Sequence, residues 1–112
     1  MEKPESNQEE KPKWFTCDIF FNQQKIKGMF IEPHFKIAHP EFTSEFIAQF
    51  VIESLTQEKN LEPIKWHGMH KRDVFALIKY PYRGKKYNLI FWYENHDPNV
   101  LWIRDFYRNS NK

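Results

Sequence analysis

The fold is decided by residues 74–108, which read VFALIKYPYRGKKYNLIFWYENHDPNVLWIRDFYR. The stretch holds three runs rich in aromatic and β-branched residues, which predict strands: Val74–Tyr80, Tyr87–Tyr93 and Val100–Tyr107. Turn-forming residues separate the runs at 81–84 and at 95–99. Connections this short allow only antiparallel neighbours, since a parallel return needs a crossover of about a dozen residues. A three-stranded antiparallel meander is therefore predicted.

Upstream of the meander, the pattern from Thr43 to Lys59 predicts one helix. Apolar residues recur there at the spacing of a single helical face: Phe46, Ile47, Phe50, Val51, Ser54 and Leu55. Thr43 or Ser44 can cap the first free amides, and Asn60 can end the helix in a left-handed conformation. An aromatic stripe of this length must lie on a flat apolar layer, and the meander is the available one.

The N-terminal part predicts a further hairpin, with strands at 14–21 and 25–31 around the polar break Asn22-Gln23-Gln24. Residues 61–66 indicate a short strand that Pro63 interrupts. The predicted fold class is α+β: an antiparallel sheet, made of the N-terminal hairpin and the C-terminal meander, with one main helix packed on one face.

The chain has 112 residues, and its length indicates a single domain. Residues 1–13 contain no aromatic residue and are expected to form a disordered polar leader, which leaves 14–112 as the domain. No apolar run approaches 18 residues and the N-terminus has no apolar h-region, so neither a membrane helix nor a secretory signal is predicted. The single Cys17 predicts a buried, inert thiol, and these features together predict a cytoplasmic protein.

Charge is distributed unevenly along the chain. Residues 1–60 carry seven basic and ten acidic side chains, whereas residues 61–112 carry ten basic and five acidic ones. The net charge of the chain is only +2, which excludes a protein that coats polyanions by bulk charge. The basic half is nevertheless typical of a surface that contacts phosphates locally.

Strict alternation along the last strand predicts Trp102, Arg104 and Arg108 on one face, together with Val100 and Phe106. Cations beside aromatic rings suit single-stranded RNA, because cations hold phosphates and rings stack on unpaired bases. The candidate nucleic-acid-binding residues are Lys79, Lys85, Lys86, Trp102 and Arg108. The alternative is structural: Arg104 pairs with an acidic neighbour or extends past Trp102, and the basic turns keep the sheet edge soluble.

Candidate catalytic groups are few. Phosphodiester cleavage by the 2′-hydroxyl of RNA needs only a base, an acid and a cation. The residues that could supply these groups are His70, Arg72, Arg104 and Tyr107. The His67–His70 spacing lacks the cysteine partners or helical repeat of a zinc site, and nucleotide-binding glycine loops are missing from the sequence. No metal and no cofactor is predicted.

The layout of a helix beginning Phe42-Thr43-Ser44-Glu45-Phe46-Ile47, followed by the runs at 74–78, 87–93 and 100–108, resembles the small nuclease-toxin group that includes barnase and the RelE/ParE toxins. The resemblance spans residues 34–108 and implies metal-independent cleavage of RNA. In RelE-like members the working groups are commonly basic residues on central strands with a late Arg and Tyr, which would correspond here to Arg72, Lys79, Arg104 and Tyr107. The N-terminal hairpin and the single helix depart from that pattern.

Three functions remain open from the sequence: a small interaction domain, toxin-like by layout, that binds a protein partner or forms a homodimer; a RelE-like ribonuclease; and a non-catalytic RNA-binding module. The interaction domain is favoured by the aromatic content, since sixteen aromatic residues from Phe30 onward exceed what one helix-on-sheet core is expected to bury. RNA stays possible as a partner, and no membrane partner is predicted.

Overall fold

A computed structural model describes residues 11–32, 42–58, 60–65, 72–95 and 97–109. The described chain forms one helix and five strands, which in chain order are β1 (Lys13–Phe21), β2 (Gln24–Ile31), α1 (Ser44–Gln57), β3 (Phe75–Tyr82), β4 (Lys85–Glu94) and β5 (Asp97–Arg108). The predicted α+β class, with an N-terminal hairpin, one helix and a C-terminal meander, is confirmed. The predicted leader lies outside the described residues over positions 1–10.

The five strands form one sheet in the order β1-β2-β5-β4-β3. The two hairpins and the β4–β5 pair are antiparallel as predicted, but β2 pairs with β5 in parallel, so the sheet is mixed. This parallel pair joins hairpin to meander, with Gly28 opposite Val100 and Ile31 opposite Ile103. The expectation of a wholly antiparallel sheet is wrong because α1, β3 and β4 together form the long crossover that a parallel pair requires.

Both tight hairpin turns use positive backbone φ angles. Asn22 (φ 51°) and Gln23 (φ 66°) form the first turn, and Arg83 (φ 51°) and Gly84 (φ 83°) form the second. Two consecutive positive φ angles are the geometry of the type I′ turn, whose twist matches that of the flanking strands. The second turn is two residues long, so Pro81 and Tyr82 belong to β3 and not to the turn. An edge strand accepts Pro81, since its missing N–H costs no ladder bond there.

The helix begins where the cap was predicted. The Phe46 amide donates to Thr43 Oγ1 at 3.0 Å, which satisfies one of the free amides at the helix start. The helix ends at Gln57, with Glu58 as the C-terminal cap, and is thus shorter than the predicted span to Lys59. The predicted strand at 61–66 is reduced to a single bridge between Ile64 and Val74.

The helix buries its apolar stripe on one face of the sheet. Phe50 and Leu55 are fully buried there and Phe46 is half buried. Strand residues under the helix alternate with those of the opposite face: Leu89, Phe91, Leu101, Ile103 and Phe106 belong to the helix-side core. A separate, smaller apolar cluster lies on the other side of the sheet, and we call that side the helix-free face: Val74, Ala76, Ile90, Trp92 and Trp102.

Bulges change which side chains share a face. In β5 the register shifts, so Ile103 lies opposite Phe91 and Asp105 opposite Ile90, and Arg104 is the extra residue. The predicted alternation is therefore wrong for β5: Phe106 lies in the helix-side core and Trp102 on the helix-free face. Arg108 follows Phe106 onto the helix side, opposite Tyr87, so it does not share a face with Trp102.

Candidate functional site

A row of four aromatic side chains crosses the helix-free face. Register pairs join Trp14 of β1 to Phe30 of β2, Phe30 to Trp102 of β5, and Trp102 to Trp92 of β4. The ring centroids of Trp14 and Phe30 are 4.9 Å apart, and those of Phe30 and Trp102 are 5.8 Å apart. Directly opposed cross-strand aromatic pairs stabilise a sheet. We call Trp14, Phe30, Trp102 and Trp92 the aromatic row.

Gly28 leaves the space in which the Trp14 ring packs against the backbone of the β1–β2 pair. A Cβ on Gly28 would overlap the Trp14 ring and would also lie 2.9 Å from the Phe15 carbonyl oxygen. The missing side chain thus lets Trp14 lie flat across the β1–β2 pair. Trp14 remains 42% exposed in this position.

A cleft of about 370 Å³ lies at the other end of the aromatic row. It is lined by Glu32, Arg72, Trp92, Glu94, Asn95 and Trp102. The guanidinium carbon of Arg72 lies 4.7 Å from the centre of the Trp92 ring, a cation–π contact. The Trp102 indole donates to the Glu32 carboxylate, and Arg104 pairs with the same carboxylate at 3.4 Å. Arg104 is therefore ion-paired with an acidic residue, which is the structural alternative that the sequence analysis offered for it.

The helix-free face is both apolar and balanced in charge. Phe20 and Ile78 are 57% and 58% exposed near its two edges, since their chain neighbours Ile19 and Leu77 point into the helix-side core. The charged residues around the row are of both signs: Arg72, Arg104, Glu32, Glu94 and Asp105. Within the described residues, no helix or strand packs on this face.

A second cleft, of about 480 Å³, lies on the helix side where α1 begins. Aromatic rings and two cations line it, together with the capping threonine: Phe42, Thr43, Phe46, Lys85, Tyr87 and Arg108. Arg108 is paired with Tyr87 across β4 and β5, and Lys85 lies two residues from Tyr87 on the same side of β4. We call this the basic cleft.

The candidate residues from the sequence are divided among separate places. Arg72 and Trp102 line the cleft on the helix-free face and Arg104 lies beside it, whereas Lys85 and Arg108 line the basic cleft. The remaining described candidates lie elsewhere: Lys79, Lys86 and Tyr107. His70 lies outside the described residues. The proposed catalytic set is therefore not seen gathered at one point.

All three of these dispersed candidates have their position set by β-sheet geometry. Lys79 has a φ of 56° at the β3 bulge, and its amide donates to Asn88 Oδ1 at 2.8 Å. Lys86 lies between Lys85 and Tyr87, so alternation directs it to the opposite side of β4. Tyr107, opposite Asn88, is half buried on the helix-free side of β5.

Cys17 is half buried beside the helix-side core, and its thiol lies 3.8 Å from the Ile26 carbonyl oxygen. Burial and the neighbouring Asp18 carboxylate raise the pKa of this thiol from 9.0 to about 11. A thiolate is therefore disfavoured at neutral pH.

Among the described residues no three His, Cys, Asp or Glu side chains come together as a metal-binding group. The His67–His70 pair lies outside that part of the chain. None of the described helices has the length and apolar character needed to cross a membrane.

Several residues of the helix-free face had no signal that sequence reasoning used. Glu32 stands alone before Pro33, and Trp14 and Phe30 read as ordinary strand residues. Counting from the turn at 22–23 would place Trp14 opposite Ile31, and the bulge at Cys17–Asp18 moves it opposite Phe30. The alignment of the aromatic row thus depends on bulges that the sequence pattern does not predict.

No protein-family model matches the chain, and the comparisons with curated proteins and with solved structures gave no match. The resemblance to small nuclease toxins stays an expectation from the layout of the sequence.

Proposed function

We propose that this chain is an interaction domain that associates with a second copy of itself through the helix-free face. The observation that carries the proposal is the aromatic row, which crosses four adjacent strands on a face that no described element covers. Tryptophan and other aromatic residues are enriched at protein interfaces and are frequent hot spots there. Exposed aromatic rings on a sheet face, here Trp14 at 42% and Phe20 at 57% exposure, typically mark an association surface.

The balance of charge supports a protein over a nucleic acid as the ligand of this face. Single-stranded RNA would need cations that follow its phosphates across the aromatic row. Here the Arg104 charge is compensated by Glu32, and Glu94 adds a second carboxylate to the cleft that holds Arg72. A polyanion would meet these carboxylates at short range, which opposes binding.

A second copy is the occupant that fits this pattern of charge. In a twofold dimer the same patch meets itself, so a patch whose charges are close to balanced can associate with its copy without net like-charge repulsion. The helix-free face carries Glu32, Glu94 and Asp105 close to Arg72 and Arg104. The exposed rings of Trp14 and Phe20 would supply the apolar contact in such a dimer.

Sedimentation velocity or light scattering over a wide concentration range tests this proposal. We expect wild-type protein to approach twice the chain mass of 13.8 kDa as concentration rises. Trp14→Ser and Phe20→Ser should each raise the dimer dissociation constant about tenfold or more, because a buried aromatic contact is worth about 1.4 kcal/mol or more.

The control is Gln49→Ser, which changes an exposed side chain of α1 on the other side of the sheet. Phe20→Ser keeps the test informative if Trp14→Ser loses stability, since Phe20 is the more exposed of the two. A strict monomer at every concentration, or equal weakening by the control, would contradict the proposal.

A further inference from the structure

We propose that the basic cleft binds the phosphate of a nucleotide between Lys85 and Arg108, with the base against the ring of Phe46. This site is separate from the helix-free face, and its occupancy does not depend on the association proposed there.

Two like charges lie side by side at the basic cleft. Arg108 is paired with Tyr87, and Lys85 is two residues from Tyr87 on the same side of β4, so the two cations are diagonal neighbours. Residues in this relation are about 7–8 Å apart, with their Cβ atoms somewhat closer, so two long side chains can both reach one phosphate. Adjacent like charges on a sheet repel each other, and an anion bound between them removes that repulsion.

No protein group in the described part of the chain neutralises these two cations. Ion pairs form between other side chains, including Arg83 with Glu53 and Arg104 with Glu32, but none of the described carboxylates lies within ion-pair distance of Lys85 or Arg108. Both cations are exposed at the end of the sheet, where they remain able to bind an external anion.

Aromatic rings form one wall of the basic cleft. Phe42 and Phe46 are stacked with ring centroids 5.8 Å apart and an interplanar angle of 11°, and Tyr87 meets Phe46 edge-on at 5.8 Å. Phe46 is only half buried, so part of its ring borders the cleft. Stacking on aromatic side chains is the general way in which proteins hold nucleobases without reading their sequence. The volume of about 480 Å³ is within the usual range of small-ligand sites.

The two cations and the aromatic wall together indicate the chemistry of the ligand. An isolated phosphate would use the two cations but leave the aromatic wall unoccupied, and a nucleoside would use only the wall. A nucleotide carries both a dianionic phosphate and a flat ring system, so it matches both features. The Phe46 amide is already bonded to Thr43 Oγ1, and the site therefore rests on the cations and the rings.

Isothermal titration calorimetry with AMP, adenosine and inorganic phosphate tests the site on the full chain. We expect AMP to bind at least about tenfold more tightly than either fragment, and its affinity to fall as salt is added. Lys85→Gln and Arg108→Gln should each weaken AMP binding about tenfold or more, because each removes a charged hydrogen bond to the phosphate.

Lys86→Gln is the matched control, since it removes the same charge from the next residue on the opposite side of β4. It should change AMP affinity less than about twofold, as expected for a charge that only contributes to the general field. A 5′-phosphorylated RNA trinucleotide, compared with its unphosphorylated form, distinguishes a strand end from a free mononucleotide as the source of the phosphate.

Failure of AMP to bind at millimolar concentration would overturn the proposal, as would equal weakening by Lys86→Gln and Lys85→Gln. Arg108→Gln should leave the sedimentation behaviour of the chain unchanged. The test of nucleotide binding at the basic cleft is thereby independent of the test of self-association through the helix-free face.

Discussion

Gly28 decides the position of Trp14, because any side chain at residue 28 would occupy the space of the indole ring. At the scale of single residues, the position of a ring on the helix-free face is set by the space that a neighbouring residue leaves for it. Glu32 plays a comparable part at the other end of the aromatic row, where one carboxylate holds both the Trp102 indole and the Arg104 guanidinium.

Replacing Gly28 by alanine should destabilise the protein by about 1–3 kcal/mol, the usual cost of forcing an extra carbon into a packed site. The Phe15 carbonyl oxygen, 2.9 Å from the added carbon, belongs to the backbone and gives way less easily than the indole. Urea unfolding measures the loss, and the indole N–H resonance of Trp14 reports the displacement of the ring.

Gly84→Ala is the matched control for that substitution. It is strained by its φ of 83°, but its added carbon meets nothing within 4 Å. It should therefore lose stability while the Trp14 resonance stays in place, and a shift of that resonance in Gly84→Ala alone would contradict the assignment.

The thiol of Cys17 should react slowly with iodoacetamide at pH 8. A pKa near 11 in place of 9.0 lowers the thiolate fraction about a hundredfold. Folding stability should also fall as pH rises from about 9 to about 11, because the unfolded chain ionises this thiol first. The pH profile of alkylation checks the pKa, and an inflection below pH 9 would be inconsistent with the burial described.

At the scale of elements, bulges decide which strand side chains lie on each face of the sheet. The extra residue in β5, Arg104, leaves Trp102 on the helix-free face and sends Phe106 and Arg108 to the helix side. In β3 the corresponding irregularity is held by Asn88, which is 7% exposed and accepts from the Lys79 amide.

Asn88→Leu should cost about 1–3 kcal/mol, since the Lys79 amide would lose its acceptor. The Asn109 side-chain amide, 3.3 Å from Asn88 Oδ1, would lose a partner as well. Chemical denaturation measures the loss. Asn95→Ala, at an exposed position beyond the end of β4, should stay within about 0.5 kcal/mol of wild type, and an equal loss there would refute the role given to Asn88.

Secondary structure was predictable from the sequence because its signals are local. The cap at Thr43, the buried stripe of Phe50 and Leu55, and the aromatic strand runs all stand in short windows. Strand register is a non-local property, and each bulge shifts it by one residue without a composition signal. Sequence reasoning therefore identified Trp102 and Arg108 as candidates but placed them together on the wrong face.

At the scale of the whole molecule, the two faces of the sheet carry different kinds of surface. The helix covers one face and leaves the basic cleft at its end, where Lys85 and Arg108 meet aromatic rings. The other face carries the aromatic row between charges of both signs. The division explains how a chain with a net charge of only +2 can present a cationic site and a neutral apolar surface at once.

The central claim is that the helix-free face becomes buried when two copies of the chain associate. Amide and indole NMR spectra recorded from low to high protein concentration test it most directly, because each residue reports its own surroundings. We expect concentration-dependent shifts for Trp14, Phe20 and Trp102, while exposed helix positions such as Gln49 and Thr56 stay constant. Shifts confined to the helix, or spectra identical at all concentrations, would contradict it.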